Sequence, residues 1–350
     1  FIEIKYIHKN LMNITAQKIL VTGVAGFLGS HLSERLAKMG HKVVGIDNML
    51  GGYEDNVPSN IEFFKYDCCD FKKINSVMKN VDVIYHCAAT AHEGLSIFSP
   101  IEITKNNYLA STTIFTSAVN NKVKKIIFCS SMARYGNQST PFHESMTPKP
   151  VDPYGISKVA SEDVLKNLCD LNGIDWTIAV PHNIIGPRQK YDDPFRNVVS
   201  IMINRILQGQ APIIFGDGNQ KRCFSYIDDC LFCLVRMLDS PGVNKQVINI
   251  GPDEEFVTIN KIFEICSNIT GSNFKAIYKK GRPLEVERAT CSADKARKLL
   301  NYKTKTDLRT GIKKTYEYIK NRGTRKFDYS NIELEIKNTL TPSYWTNKEI

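Results

Sequence analysis

The segment Pro153-Tyr-Gly-Ile-Ser-Lys158 holds the residues best suited to acid–base chemistry. A proline-rich loop precedes it, so we expect a helix to begin here, with Tyr154 and Lys158 one turn apart on the same face. An ammonium group beside a phenol favours the phenolate, so the pair predicts a tyrosine whose pKa is lowered. Tyr-x-x-x-Lys is a common spacing, and an exposed pair on a helix surface is the alternative interpretation.

Two hydroxyl side chains stand where a strand is expected to end. Ser130 and Ser131 follow the apolar run Lys125–Cys129, which is typical of a buried strand. Ligands of open parallel sheets bind beyond the carboxyl ends of the strands. Both serines are therefore well placed to meet a ligand.

A glycine-rich turn near the start of the chain could hold a phosphate. Residues 18–21 predict a short buried strand, and residues 30–39 continue at helical period. Between them lie Gly23, Gly26 and Gly29, which let the backbone approach a ligand at the N-terminus of the helix, where N–H groups are unpaired. Three glycines alone could equally form a turn that binds nothing.

An acidic residue ends the second predicted strand. Asp47 closes the run of residues 41–47 and lies 18 residues beyond Gly29. That spacing is close to the one at which a carboxylate meets the hydroxyl groups of an adenosine ribose, which would favour NAD over NADP. The alternative is an aspartate that caps a loop.

Strands alternate with helical segments through the first half of the chain, which predicts an α/β fold with a doubly wound parallel sheet. Asp67 follows the third strand and could lie near an adenine, or it could be a plain loop acid. Ala88 and Ala89 follow the fourth strand and could leave room for a cofactor, or they could simply pack. The predicted strands cover residues 18–21, 41–47, 61–66, 81–87 and 125–129.

Composition bounds the class of protein. With 350 residues, 42% of them hydrophobic and 23% charged, the chain is typical of a soluble enzyme with one large or two modest domains. No apolar run reaches the roughly 20 residues that cross a bilayer, and residues 1–18 lack a secretory pattern. Residues 271–350 carry the whole net charge of +10 but no recognisable nucleic-acid motif, so we expect a solvated basic surface.

Ten cysteines could indicate disulfides or zinc, but their placement favours structural thiols. Cys87 and Cys129 lie inside predicted strands. Cys230 and Cys233 have C-x-x-C spacing, but within a helical pattern and without a second pair. We therefore expect no metal site, and a reducing, cytosolic compartment.

In combination and in this order, the three-glycine turn, Asp47, the serine pair and the Tyr154–Lys158 pair resemble the extended short-chain dehydrogenase/reductase superfamily. Within it, the sequence is most similar to nucleotide-sugar epimerases and dehydratases, over roughly residues 17–320. The resemblance implies a doubly wound parallel Rossmann sheet with a smaller α/β C-terminal domain, and NAD as the cofactor. The expected divisions are an N-terminal extension (1–16), an NAD-binding domain (17–180), a mainly nucleotide-sugar-binding domain with segments that return to the Rossmann core (181–322), and a C-terminal extension (323–350).

The resemblance also implies roles for single residues. Tyr154 would be the acid and base, Lys158 would bind the nicotinamide ribose and lower the pKa of Tyr154, and Ser131 would hydrogen-bond the reacting hydroxyl group. The residues expected to bind the cofactor are Gly23, Gly26, Phe27, Leu28, Gly29, Asp47, Asn48, Asp67, Cys68, Ala88, Ala89, Asn107, Ser130, Tyr154, Lys158 and Pro181.

The second half resembles the substrate-binding segments of the nucleotide-sugar branch. Val180–Gln189 looks like the segment after the sixth strand, in which Asn183 would touch the substrate. Residues 215–229 place Arg222 on the arginine that grips the nucleotide or its phosphates. Cys223 stands where the family usually has an aspartate, which puts the detail of that turn in doubt.

A later element, Gly281–Glu285, would make Arg282 a second arginine for the diphosphate, because a guanidinium group can pair with phosphate oxygens bidentately. Related 4-epimerases have a residue seven positions further on that excludes N-acetyl groups when bulky and admits them when small. Here that residue is Ala289, which predicts a pocket open to a 2-acetamido group unless the alanine merely packs.

The reaction that the resemblance implies is NAD-dependent 4-epimerisation of a UDP-hexose or UDP-N-acetylhexosamine through a transient 4-keto sugar. Related dehydratases have an Asp-Glu pair directly after the catalytic Thr, whereas this chain has Met132 and Ala133, so dehydration is disfavoured. Decarboxylation of a uronic acid, another epimerisation or a reduction is the nearer alternative, and a non-catalytic binding protein the remoter one. Family members usually serve polysaccharide synthesis and dimerise through four helices, including the one with Tyr154, so we expect a cytoplasmic homodimer.

Overall fold

The computed structural model describes residues 16–330 and 333–350. The expected N-terminal extension lies outside these residues, apart from Ala16. The strands are β1 (Lys18–Thr22), β2 (Lys42–Ile46), β3 (Glu62–Phe64), β4 (Val83–His86), β5 (Lys125–Cys129), β6 (Asp175–Pro181), β7 (Ile184–Ile185), β8 (Ile213–Phe215), β9 (Lys221–Arg222), β10 (Ser225–Tyr226), β11 (Gln246–Ile250), β12 (Val257–Thr258), β13 (Ile277–Lys279) and β14 (Arg288–Ala289).

The helices lie between and after these strands. A wide π-helical turn, Lys105–Leu109, joins the helices Pro100–Thr104 and Ala110–Asn120 without a break. The helices are α1 (Phe27–Lys38), α2 (Phe71–Val77), α3 (Glu93–Ser96), α4 (Pro100–Thr104), α5 (Ala110–Asn120), α6 (Pro153–Asn172), α7 (Val198–Leu207), α8 (Ile227–Arg236), α9 (Ile259–Thr270), α10 (Asp294–Leu300), α11 (Leu308–Arg322) and α12 (Ser343–Thr346).

A seven-stranded parallel sheet in the order β11-β6-β5-β4-β1-β2-β3 forms the centre of the protein. β1 pairs with β2 on one side and with β4 on the other, so the direction of winding reverses at β1. Helices that follow strands on the two sides of such a point cover opposite faces, which leaves a crevice at the carboxyl ends of the strands. This is the doubly wound Rossmann sheet that the sequence predicts.

Alternation of side chains along β1 fills two hydrophobic layers. Ile19 and Val21 pack in the layer that contains α1 and α8, whereas Leu20 packs in the layer that contains α2, α5 and α6. Successive residues of a strand point to opposite faces, so a strand that is covered on both faces is apolar throughout. The continuous apolar run after Lys18 has this physical cause.

Much of the second half forms a smaller unit beside the sheet. Helices α7, α9 and α11 pack together around a separate hydrophobic cluster, and short strands connect them. The segment 246–250 does not belong to this unit, because it forms β11 at the edge of the central sheet. The C-terminal segment packs in a further cluster with α3 and with the loop before α7.

The cysteines all lie within the described residues, and each is a free thiol. Cys87 and Cys129 are neighbours at the ends of β4 and β5, with their sulfur atoms 3.6 Å apart. The described residues contain no group of three or more His, Cys, Asp and Glu side chains able to hold a metal ion. Within the same residues, no helix has the length and apolar character that a membrane crossing requires.

Candidate active site

A cavity of about 450 Å³ opens at the carboxyl ends of β1, β4 and β5 and extends to the smaller unit. The order of the strands predicts a ligand-binding crevice at this place, where the direction of winding reverses. The cavity brings together nearly all of the predicted site residues. Those that line it are Gly23, Gly26, Phe27, Leu28, Gly29, Asp47, Asn48, Asp67, Cys68, Ala88, Ala89, Ser130, Ser131, Tyr154, Lys158, Pro181, Asn183, Arg222 and Arg282.

The glycine turn brings the first turn of α1 to the cavity wall. Gly23 has φ +78°, a conformation that favours glycine. A Cβ atom on Gly29 would lie 2.1 Å from the Gly23 carbonyl oxygen, so the helix can approach the turn this closely only without a side chain there. Gly26 caps α1, no side chain caps its N-terminus, and its first turn has no acidic residue. Free N–H groups and a partial positive charge at this place fit the diphosphate of NAD.

Asp47 combines the two interpretations that its sequence position allows. One carboxylate oxygen accepts a hydrogen bond from the Ala25 N–H at 2.9 Å, and the other accepts one from the Met49 N–H at 2.7 Å. The same side chain lines the cavity. Burial raises the pKa of Asp47, while these backbone hydrogen bonds act in the opposite direction. The carboxylate therefore fixes the loop and also faces the cavity.

The helix that carries Tyr154 and Lys158 begins as its sequence indicates. Asp152 caps α6 by accepting a hydrogen bond from the Gly155 N–H at 2.8 Å, and Pro153 occupies the first turn. The Lys158 ammonium donates to the Cys129 carbonyl oxygen at 2.9 Å and lies 6.0 Å from the centre of the Tyr154 ring. The Ser131 hydroxyl accepts from the Ala133 N–H at 3.2 Å, and Ser131, Tyr154 and Lys158 all line the cavity.

The pKa of Tyr154 does not follow the sequence-based prediction. Burial raises the pKa of this phenol, and the Ser131 hydroxyl only partly opposes that effect. Burial also lowers the pKa of Lys158 to about 8, which weakens its positive charge. In the protein alone the prediction of a lowered tyrosine pKa is therefore wrong, because desolvation of the phenol dominates and the carboxylates of Glu93 and Asp152 raise its pKa further.

Ser130 belongs to a buried network that the sequence analysis did not identify. Its hydroxyl donates to a Glu162 carboxylate oxygen at 2.5 Å. Arg134 donates to the same carboxylate at 3.0 and 2.9 Å, in a bidentate ion pair. Glu162 lies one helical turn beyond Lys158, so the spacing Tyr-x-x-x-Lys-x-x-x-Glu was a signal that could have identified it.

Two predicted site residues do not line the cavity, Asn107 and Ala289. The Asn107 side chain accepts from the Thr90 N–H at 2.8 Å and donates to the Thr90 carbonyl and the Ser157 hydroxyl, each at 3.3 Å. It joins the loop after β4 to α6, so its amide is engaged within the protein and does not face a cofactor. Ala289 is buried in a hydrophobic cluster at β14, so packing is the interpretation that fits, and the acetamido hypothesis loses its geometric basis.

Two arginines lie at the end of the cavity formed by the smaller unit. Arg282 makes a bidentate ion pair with Glu285, at 2.6 and 3.2 Å. Arg222 donates to the carbonyl oxygens of Lys221 at 2.9 Å and of Glu287 at 3.1 Å, and also to that of Val286. Internal partners hold both guanidinium groups at the cavity wall, where two positive charges suit a diphosphate.

Asn183, which the sequence predicts to touch the substrate, lines the same end of the cavity. Its backbone has φ +41°, and its side-chain amide donates to the Cys223 carbonyl at 2.8 Å. Cys223, which replaces the usual aspartate, is buried and has its sulfur 3.0 Å from the Thr290 hydroxyl. The departure from the family pattern therefore leaves Arg222 and Asn183 at the cavity.

Two further charged residues of the cavity carried no recognisable sequence signal. The Glu93 side chain is exposed within the cavity, where partial desolvation and the charge of Asp152 raise its pKa to about 7. Arg196 has its Nε 3.5 Å from an Asp193 carboxylate oxygen and lies against Gly51. Both residues lie outside periodic sequence patterns, in a one-turn helix and a loop, so only the folded chain brings them to the site.

The comparisons with known proteins agree with this arrangement. The model of the NAD dependent epimerase/dehydratase family matches residues 19–251. A putative UDP-glucose 4-epimerase of Methanocaldococcus jannaschii is 36% identical over 310 residues, which are 87% of this chain and 98% of that protein. A UDP-N-acetyl-alpha-D-glucosaminuronate decarboxylase of Bacillus cytotoxicus is 30% identical over 319 residues, again 87% and 98%.

A solved structure is similar over nearly the same length. The crystal structure of UDP-glucose 4-epimerase from Thermotoga maritima, which contains UDP-glucose, has a TM-score of 0.83 and 31% sequence identity. The similarity covers 87% of this chain and 99% of that one. The sequence matches, the Rossmann sheet and the residues collected at its crevice lead to the same conclusion: this chain belongs to the NAD-dependent epimerase/dehydratase family.

Proposed function

We propose that this protein is an NAD-dependent 4-epimerase of a UDP-hexose or UDP-N-acetylhexosamine. The observation that carries the proposal is the composition of a single cavity. One end has the glycine turn and Asp47, the middle has Ser131, Tyr154 and Lys158, and the other end has two arginines. A cofactor, a sugar and a diphosphate would thus lie in a row in one space.

The group formed by Ser131, Tyr154 and Lys158 would handle the proton. Tyr154 takes the proton from the 4-hydroxyl of the sugar, and Ser131 holds that oxygen by a hydrogen bond. Bound NAD⁺ supplies the hydride chemistry, and its positive charge favours the phenolate that the buried site by itself disfavours. Lys158 would hold the ribose of the cofactor, and Tyr154 returns the proton when the 4-keto sugar is reduced on its other face.

The two residues directly after Ser131 cannot serve as the acid and base of a dehydration. Met132 and Ala133 are buried in the 3₁₀ turn Met132–Tyr135, and neither side chain transfers protons. Elimination of water needs an acid and a base in addition to the redox centre. The keto sugar would therefore be reduced again instead of losing water.

Decarboxylation of a UDP-uronic acid is the second candidate, because one relative is named for such a reaction. The Glu93 carboxyl group opens into the cavity and disfavours this reaction. Above a pH of about 7, where Glu93 is mostly charged, its carboxylate would repel a sugar that carries a carboxylate of its own. This repulsion favours a neutral hexose or acetamido-hexose.

A panel of UDP-glucose, UDP-galactose, their N-acetylamino forms and UDP-glucuronic acid, followed by NMR, tests the proposal. We expect interconversion of 4-epimers for a neutral pair without added NAD. We expect Tyr154→Phe to reduce kcat by roughly 10²–10⁴-fold, because it removes the group that transfers the proton.

The matched control for this test is Tyr278→Phe, which removes an exposed hydroxyl group outside the cavity and should leave kcat unchanged. Release of CO₂ from the uronic acid would favour the second candidate. Wild-type turnover in the Tyr154→Phe variant would contradict the mechanism.

We also infer that the protein is a homodimer of the cytoplasm. Exposed apolar side chains on adjacent helices support a dimer contact: Ile101 lies in the first turn of α4, Leu109 ends the π-helical turn, and Ile156 lies on α6. Such side chains are typical of a surface that a second copy covers. The free thiols fit a reducing compartment.

A further inference from the structure

The last residues of the chain wrap around the substrate end of the cavity. We call residues 333–350 the C-terminal strap; they lie beyond the part of the chain that the sequence resemblance covers. The N–H groups of Glu335 and Ile336 each donate to the Phe98 carbonyl oxygen at 2.9 Å, and the Ser99 hydroxyl donates to the Glu333 carbonyl at 2.7 Å. The strap is therefore hydrogen-bonded to the segment between α3 and α4.

The side chain of Glu335 strengthens this attachment. Its two carboxylate oxygens accept hydrogen bonds from the N–H groups of Ile101 and Glu102, each at 2.8 Å. These N–H groups lie in the first turn of α4, where a carboxylate is favoured. The beginning of α4 is thus capped from the far end of the chain.

Aromatic rings attach the strap to two walls of the cavity. The Trp345 ring lies edge-on to Phe98 at 5.8 Å and to Phe195 at 5.2 Å. Phe195 lines the cavity, whereas Trp345 does not and is only 2% exposed. The strap therefore forms a second layer behind residues that can touch a ligand.

The second wall contains Arg282, one of the two arginines proposed to bind the diphosphate. The Tyr344 ring stacks on Phe215 with centres 4.7 Å apart and planes 20° apart. The Arg282 guanidinium lies 5.1 Å from the centre of the same Phe215 ring. Phe215 and Arg282 both line the cavity, whereas Tyr344 lies behind them.

Polar contacts fix the same wall from the strap. The Tyr344 hydroxyl donates to the Lys280 carbonyl at 3.4 Å, two residues before Arg282. Glu349 forms an ion pair with Lys279 at 3.1 Å. Contacts therefore reach Arg282 both through the ring of Phe215 and through the backbone that precedes it.

We propose that Tyr344 is a positioning residue for substrate binding, which holds Phe215 and through it the Arg282 guanidinium in place for the diphosphate of a UDP-sugar. The inference rests on the proposed function for the identity of the ligand. An arginine that is already held in its binding geometry loses less conformational entropy on binding, so the strap would act on affinity and leave the chemical step alone.

The test compares Tyr344→Ala, Tyr344→Phe and the wild type, each loaded with NAD. We expect Tyr344→Ala to raise both KM for the UDP-sugar and Kd for UDP about tenfold, or about 1.4 kcal/mol, with kcat within about twofold. Tyr344→Phe keeps the stacked ring and should restore both constants. Leu340→Ala changes an exposed strap residue and should have no effect.

Hydrogen–deuterium exchange separates this inference from the proposed function. If the wild type binds no UDP, the proposed substrate is wrong, but faster exchange of residues 213–216 and 279–286 in Tyr344→Ala still supports the positioning role. Wild-type KM, Kd and exchange in that variant would overturn the inference, as would a loss of kcat with both binding constants unchanged. If Tyr344→Ala does not fold, Tyr344→Leu, which fills much of the space without a ring, replaces it.

Discussion

Among single residues, Tyr154 shows how far burial can change the chemistry that a motif predicts. The motif places an ammonium group one turn from the phenol, and the structure has that arrangement. Yet burial raises the pKa of Tyr154 and lowers that of Lys158 to about 8. For the proposed proton transfer, the positive charge of bound NAD⁺ would favour the phenolate of Tyr154.

Glu93 gives a prediction at the same scale. Its raised pKa of about 7 means that the side chain is mostly neutral below this pH and mostly charged above it. A charged carboxylate repels a diphosphate, so KM for the UDP-sugar should rise about fivefold between pH 6 and pH 8. Glu93→Gln cannot ionise and should remove this rise, as measured from initial rates across the pH range.

Glu62→Gln serves as the control, since Glu62 is an exposed residue of β3 outside the cavity. It should keep the pH dependence of the wild type. A Glu93→Gln variant whose KM still rises with pH would show that another group causes the effect.

Among the elements, the turn between β1 and α1 makes the strictest demand on the sequence. A Cβ atom on Gly29 would lie 2.1 Å from the carbonyl oxygen of Gly23 and 2.7 Å from the carbonyl carbon of Gly23. The turn and the helix would therefore have to separate. We expect Gly29→Ala to lower the free energy of unfolding by about 1–3 kcal/mol, as overpacking does. The amount of NAD that co-purifies should fall as well, because the helix N-terminus moves.

Urea unfolding and NAD content after denaturation measure the two effects of this substitution. Lys38→Ala, an exposed change on the same helix, should leave both at the wild-type value. Equal stability and NAD content in Gly29→Ala would mean that the turn adapts without cost.

The elements also show why part of the site could be predicted from the sequence and part could not. Gly23, Asp47, Ser131 and Tyr154 each follow a strand or begin a helix, and a parallel sheet gathers such positions at one edge. The start of α1 was predicted three residues late, at Ser30, because the glycines that form its cap and first turn are poor helix formers.

Other residues depend on packing between distant segments. Ala289 was placed by counting from Arg282, yet the chain turns between them and buries the alanine in the core. Glu93 and Arg196 reach the cavity from a one-turn helix and a loop. No periodic pattern marks such positions, so sequence alone could not assign them.

At the scale of the whole molecule, the proposed dimer gives a further prediction. Light scattering should give twice the chain mass of 39.6 kDa. Leu109→Glu and Ile101→Glu place charges on the exposed apolar surface beside α6, so each should shift the protein toward the monomer.

Leu340→Glu is the matched control, since Leu340 is also an exposed leucine but lies on the strap, and it should leave the mass unchanged. Monomeric wild-type protein, or dimers in both variants, would contradict the assigned contact.

The wide turn at Lys105–Leu109 has a consequence for how this chain can change in length. In an α-helix, consecutive side chains point in directions about 100° apart. Here, however, two consecutive side chains both bond Thr90: the Asn106 amide donates to its hydroxyl at 3.1 Å, and the Asn107 side chain accepts from its N–H at 2.8 Å. A π-turn has one more residue than an α-turn. Deletion of one residue here would restore a regular helix but would rotate one asparagine away from the loop, so the chain cannot be shortened at this turn without losing a contact to Thr90.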